Sequence, residues 1–208
     1  MAMADDARIA ALAAAQQGVF TRAQALAAGF GAGQIERRVR AGLWCRVFPR
    51  IYRYAATPES SATRHRAAAL WCGPPSALSH MSAAALWRMH DDAVPRPELV
   101  VPRSRAPRVD GVVLHRVARL DDDDLTSVRG LTVTTPVRTI VDLAGVLGPD
   151  ELERVLARAC ALPTVTVRAV LGRLDEIGSA GRPGAGLLRA LLAPIGSVRV
   201  DRSVRMAG

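Results

Sequence analysis

Glycines at 18, 29 and 42 cut the first 54 residues into three short segments and leave room after them only for a hairpin. In the first segment Asp5 and Asp6 sit where negative charge suits a helix N-terminus, and Ile9 and Leu12 share one face. Thr21 with Gln24 three residues on has the reciprocal capping pattern that opens a second helix. Leu26 is expected to face inward there, and Gly29 to supply the left-handed residue that closes it. Gln34 to Ala41 reads as a third helix, with Ile35 and Val39 four apart on its core side. That spacing sends Gln34, Arg37, Arg38 and Ala41 outward, with Arg40 on the flank. Next come LWCRV, from Leu43 to Val47, and IYRY, from Ile51 to Tyr54, two runs of β-formers joined at Pro49. Three helices followed at once by a hairpin is the order of a winged helix-turn-helix, which usually sets its last helix in the DNA major groove.

Charge falls on the same pieces. All 28 basic residues of the 208 are arginine, and the formal net charge is +9. Arg22, Arg37, Arg38, Arg40, Arg46, Arg50 and Arg53 face one acid, Glu36, in 32 residues. Such an excess favours a polyanion, here double-stranded operator DNA. Gln34, Arg37 and Arg38 are the expected base or groove contacts, with Arg40 beside them, since amide and guanidinium groups read purine edges. Arg22, Arg46, Arg50 and Arg53 are expected to hold backbone phosphates. The competing reading is a basic module that docks protein.

Composition and motifs leave little room for catalysis. Cys45, Cys72 and Cys160 lie far apart with no metal-ligand spacing, which suits a reducing compartment and predicts no metal and no cofactor. Without a secretory leader or a long apolar span, the expected location is the cytoplasm, away from any membrane. Ser79-His80 lacks a nucleophile elbow, so Ser79 is read as a helix cap. Gly178-Ser179 has no paired aspartates downstream to suit a nucleotidyltransferase. Asp121 to Asp124 lacks the spacing of a calcium loop and is read as a solvated loop. His65, His90 and His115 carry no ligand spacing. Arg103, Arg105 and Arg108 form a second basic cluster on a Pro-rich loop, open to solvent or extending a DNA or acidic-partner surface. The protein is therefore expected not to be an enzyme.

The fold class expected is α+β, with the winged helix over residues 1–57, a mixed α+β domain over 58–195, and an unstructured or truncated tail over 196–208. Thr57 to Ser61 reads as a linker. Helices are predicted over 64–72, 79–89, 136–144, 149–161, 165–174 and 185–192, with strands near 98–101, 112–117, 125–128 and 131–133. Thr135 followed by Pro136 marks a helix start.

Four segments in order, GVFTRAQALAAG (Gly18 to Gly29), the Pro-turn hairpin with Tyr52, ALSHMSAAALW (Ala77 to Trp87) and GLTVTTPVRTIVDLA (Gly130 to Ala144), resemble actinobacterial proteins of the AbiEi-type antitoxin family. The resemblance runs over about residues 8–193. It implies a winged helix joined to an antitoxin domain and a repressor of its own operon in a type IV toxin–antitoxin system. Its toxin partner would be a nucleotidyltransferase. Many relatives add a Vsr-like endonuclease domain. This sequence stops near where that domain would begin, so a regulatory remnant of such a fusion is a third reading. It also places Arg50 where the family's hairpin turn usually has glycine.

Overall fold

A computed structural model describes residues 2–91, 94–105, 107–178 and 181–194. The tail expected over 196–208 lies outside the described residues, as does Ser179. The chain divides into two compact units, Met1–Leu78 with Val94–Arg116 and Ser79–Ala93 with Val117–Gly208. Each is α+β.

The first unit opens with α1 (Ala2–Ala15), β1 (Val19–Thr21), α2 (Arg22–Ala27), α3 (Ala32–Arg40), β2 (Trp44–Phe48) and β3 (Ile51–Tyr54). The three strands form an antiparallel sheet in the order β1-β3-β2, with Val19 opposite Arg53 and Cys45 opposite Arg53 from the other side. β1 was not expected. Its three residues are too few to show alternation, yet they tie the hairpin back to the helices and complete the winged-helix topology. α2 begins as its sequence predicts: the Gln24 amide donates to Thr21 Oγ1 (3.1 Å) and the Thr21 amide donates to Gln24 Oε1 (2.8 Å). Gly29 follows the helix at φ +108°, a conformation that glycine adopts cheaply.

Ile9, Phe20, Ala25, Ile35, Trp44 and Tyr52 form the core between these helices and strands. Phe20 meets Trp44 edge-on at 4.7 Å between ring centroids. All the chain's aromatic residues except Trp87 lie in this unit, so a chain otherwise built on Ala, Leu and Val places most of its largest apolar side chains here. Leu26 is a correction: Ala25 fills the inward position and Leu26 stands 41% exposed.

The stretch expected as a linker instead starts another helix. Ser60 Oγ accepts from the Thr63 amide and caps α4 (Ser61–Cys72), which Gly73 ends at φ +62°. The same unit holds β4 (Ala77–Leu78), β5 (Glu98–Pro102) and β6 (Val113–Val117) in the order β6-β5-β4.

The second unit contains α5 (His80–Leu86), the antiparallel pair β7 (Leu125–Val128) and β8 (Leu131–Thr134), then α6 (Pro136–Leu143), α7 (Pro149–Ala159), α8 (Val167–Glu176) and α9 (residues 185–194). Ile140, Leu143, Leu152, Leu156, Val170 and Leu188 meet in its core. Thr135 caps α6 through the Arg138 amide, with Pro136 at the first helical position. At Gly184 (φ +76°) the backbone passes so near α6 that any Cβ would overlap the Ala144 carbonyl.

Candidate nucleic-acid interface

α3 starts two residues before its expected position. Gly31, lacking a capping side chain, donates its amide to Gln34 Oε1 at 2.7 Å, so Gln34 closes the first turn of its own helix. Ile35 is fully buried and Val39 half-buried, while Gln34, Glu36, Arg37 and Arg40 are exposed. Arg37 and Arg40 make no ion pair among the described residues, and three arginines crowd the last turn of the helix.

Arg38 differs from its outward expectation. Its guanidinium lies 4.4 Å above the Phe30 ring and 5.4 Å from Trp44, and it donates to both carboxylate oxygens of Asp6 at 2.8 and 2.9 Å. A cation clamped between an aromatic face and a bidentate carboxylate holds α3 onto α1 and β2. Arg38 sits three residues after Ile35, so the helical repeat itself placed it at the edge of the core side.

The hairpin shows the same split. Arg46 is exposed and reaches Glu36 of α3 at 3.0 and 3.2 Å, a solvent-facing pair of little energetic weight. Arg53 turns back onto the carbonyls of Tyr54, Ala55 and Thr57 and braces the exit from β3. Arg50 occupies the turn after Pro49 at φ +65°. This is the backbone conformation for which glycine is the easiest occupant, consistent with the departure read from the sequence. The Arg22 amide donates to the Arg50 carbonyl at 2.7 Å, so these two arginines rise side by side from α2 and the turn. Of the eight expected contacts, Gln34, Arg37, Arg40 and Arg46 thus share the α3 and β2 surface. Arg38 and Arg53 are engaged structurally, and Arg22 and Arg50 stand together at the turn.

This is the region with a family match. Residues 7–55 match the family described as transcriptional regulator, AbiEi antitoxin. The N-terminal module is similar to that family's. The match spans α1 through β3, all the elements that carry the arginines above. No curated protein matches the chain. Among solved structures, the RV2827C protein from Mycobacterium tuberculosis is similar over 91% of this chain and 80% of its own, at 18% identity and a TM-score of 0.48.

Beyond this module, the structure corrects two readings of charged segments. Arg105, in the basic loop, is not simply solvated: it donates to the carbonyls of Cys72 (2.6 Å), Gly73 (2.9 Å) and Pro75 (3.3 Å) and so satisfies the end of α4. Arg103 and Arg108 are exposed.

The aspartate run holds the larger surprise. Asp122–Asp124 form a 3-10 turn, and Asp124 is 1% exposed. Its carboxylate accepts from Arg138 Nη1 (2.5 Å), Arg173 Nε (2.7 Å) and Arg173 Nη2 (2.6 Å). Arg138, fully buried, also pairs with Asp142 at 2.9 Å, and Arg173 with Asp121 at 2.8 Å. Burial pushes the Asp142 carboxyl above the usual range despite Arg138 beside it. Hydrogen bonds from Arg173 hold Asp121 below that range. For Arg173 burial works against the cation, but the bonds to Asp124, Asp121 and Glu176 outweigh it and raise its pKa.

Ser79 takes the N-cap position of α5 but its hydroxyl makes no cap bond; it lies 2.9 Å from His80 Nδ1 instead. His115 pairs with Glu98 at 2.7 Å, and His90 with Glu151 at 3.6 Å.

Proposed function

We propose that this protein is a DNA-binding transcriptional regulator that represses its own operon as an AbiEi-like antitoxin. α3 enters the major groove of a double-stranded operator, Arg37, Arg40 and Gln34 face base edges or phosphates, and Arg46 on the hairpin lies along the backbone. Arg38 and Arg53 position these elements without touching DNA. The protein acts by binding and not by catalysis, in the cytoplasm, against a toxin of the nucleotidyltransferase class. Among the described residues no helix is long and apolar enough to cross a membrane.

One observation carries the reading: the exposed face of α3 presents Arg37 and Arg40 with no acidic partner among the described residues, while Arg38 and Ile35 anchor its other face. The family match over residues 7–55 supports it. The test is retardation of a duplex carrying the gene's own upstream region. Neutralising about three phosphates gives a log–log salt slope of roughly −3. Arg37→Ala with Arg40→Ala lowers affinity by about 1–3 kcal/mol per lost base contact and flattens the slope by about 2. A salt-independent affinity, or a double variant that binds as the parent does, overturns the proposal.

A further inference from the structure

A cleft of about 560 Å³ in the first unit is lined by α2, the hairpin turn and α4, with nothing contributed by α3. Its floor is apolar: Leu26, Ile51, Leu70 and Trp71. Its rim carries Arg22 and Arg50, and no acidic residue lines it. Three other arginines of the unit are paired, Arg38 with Asp6, Arg46 with Glu36 and Arg64 with Glu59, while Arg37 and Arg40 on α3 are not. The two at the cleft make no ion pair among the described residues, so the charge there is unmatched. A second observation concerns the same place. Arg50 keeps a long side chain at φ +65°, where a non-glycine residue is strained by about 1 kcal/mol or more.

We propose that this cleft docks an acidic, leucine-bearing peptide segment of a protein partner, independently of the DNA face. Leucine side chains bury against Leu26, Leu70 and Trp71, and flanking carboxylates pair with Arg22 and Arg50. Tryptophan and arginine are the residues that most often dominate such interfaces. The fit to a DNA backbone is poorer, because a phosphodiester chain has no apolar group to cover Leu26 and Ile51.

The experiment titrates the full chain into a labelled peptide, Glu-Leu-Glu-Glu-Leu-Leu-Glu-Glu, read by fluorescence anisotropy, beside the same peptide with Gln for Glu. The acidic peptide binds; the Gln peptide, and the acidic peptide with Arg22→Ala/Arg50→Gly protein, bind at least about tenfold more weakly. Arg50→Gly relaxes the turn, so that variant retains its fold. Leu26→Asn, at an exposed position, weakens the peptide severalfold and leaves operator retardation unchanged. The proposal is overturned by no binding at about 1 mM peptide, or by equal binding to the Arg22→Ala/Arg50→Gly protein. Displacement of the bound peptide by a short single-stranded oligonucleotide overturns it too, since the cleft then belongs to nucleic acid.

Discussion

Replacing His65 by leucine should change the pH dependence of stability in a way that its neighbours cannot mimic. His65 lies on the buried side of α4 between Thr63, Ala67 and Ala68, is 2% exposed, and has no hydrogen-bond partner on Nε2. Burial, reinforced by the charge of Arg64, lowers its pKa from 6.5 to about 4. The folded protein therefore keeps the ring neutral while the unfolded chain takes up a proton below pH 6.5. The associated stability is complete above that value, falls as pH drops from about 6.5, and levels off below about 4, where the folded form is protonated as well. A displacement of some 2.5 units at about 1.36 kcal/mol each gives a loss of about 3 kcal/mol across that window. Urea unfolding followed by tryptophan fluorescence in a Trp87→Phe background reports the first unit through Trp44 and Trp71. The stability of the parent minus that of His65→Leu should fall by about 3 kcal/mol from pH 7.5 to pH 4. Taking the difference cancels the carboxylates that titrate in both proteins. A difference that stays flat within about 0.5 kcal/mol means that the ring is charged or solvated in the folded state, and the reasoning is wrong.

Three further perturbations follow from packing and charge. Asp124→Asn leaves Arg138 and Arg173 short of a carboxylate in a dry site and should cost about 3–5 kcal/mol in chemical unfolding followed by Trp87; a loss below about 1 kcal/mol shows that water reaches the network. Arg38→Ala should lower the stability of the first unit by about 1–2 kcal/mol, and Arg38→Lys should restore only part, because an ammonium can reach Asp6 but cannot stack flat on Phe30 and Trp44; full rescue by lysine reduces Arg38 to a plain charge. Gly184→Ala forces a Cβ into the Ala144 carbonyl and should cost more than about 3 kcal/mol, read as a fall in the thermal midpoint; an unchanged midpoint shows that α9 is free to shift.

Much of this fold was written in local signals. The Thr21–Gln24 capping box, the Thr135–Pro136 start of α6 and the β7–β8 pair each depend on neighbours within a few residues, and each stands where its sequence predicts. What escaped depends on distance. β1 is three residues long and becomes a strand because β3, some thirty residues on, accepts it. Four aspartates in a row read as solvent because the cation nearest in sequence, Arg119, pairs with Asp121, and the partners of Asp124 come from farther along the chain. Asp124 is buried because Arg138, 14 positions away, and Arg173, 49 positions away, close around it. Leu26 was expected inward and Ala25 takes that position because a six-residue helix turns too little to define a face. At the candidate interface the residue types were legible and their division was not: the helical repeat already set Arg38 beside Ile35, a signal that a focus on charge passed over.

That division has an evolutionary consequence. On α3 the residues that fix the helix, Ile35, Arg38 and the capping Gln34, are distinct from those left facing outward, Arg37 and Arg40. Substitution at the outward set leaves the Asp6–Arg38–Phe30 clamp and the buried Ile35 as they are. Under the proposed DNA-binding role, a lineage can therefore drift from one target sequence to another by single steps through well-folded intermediates, with no rebuilding of the domain at each step.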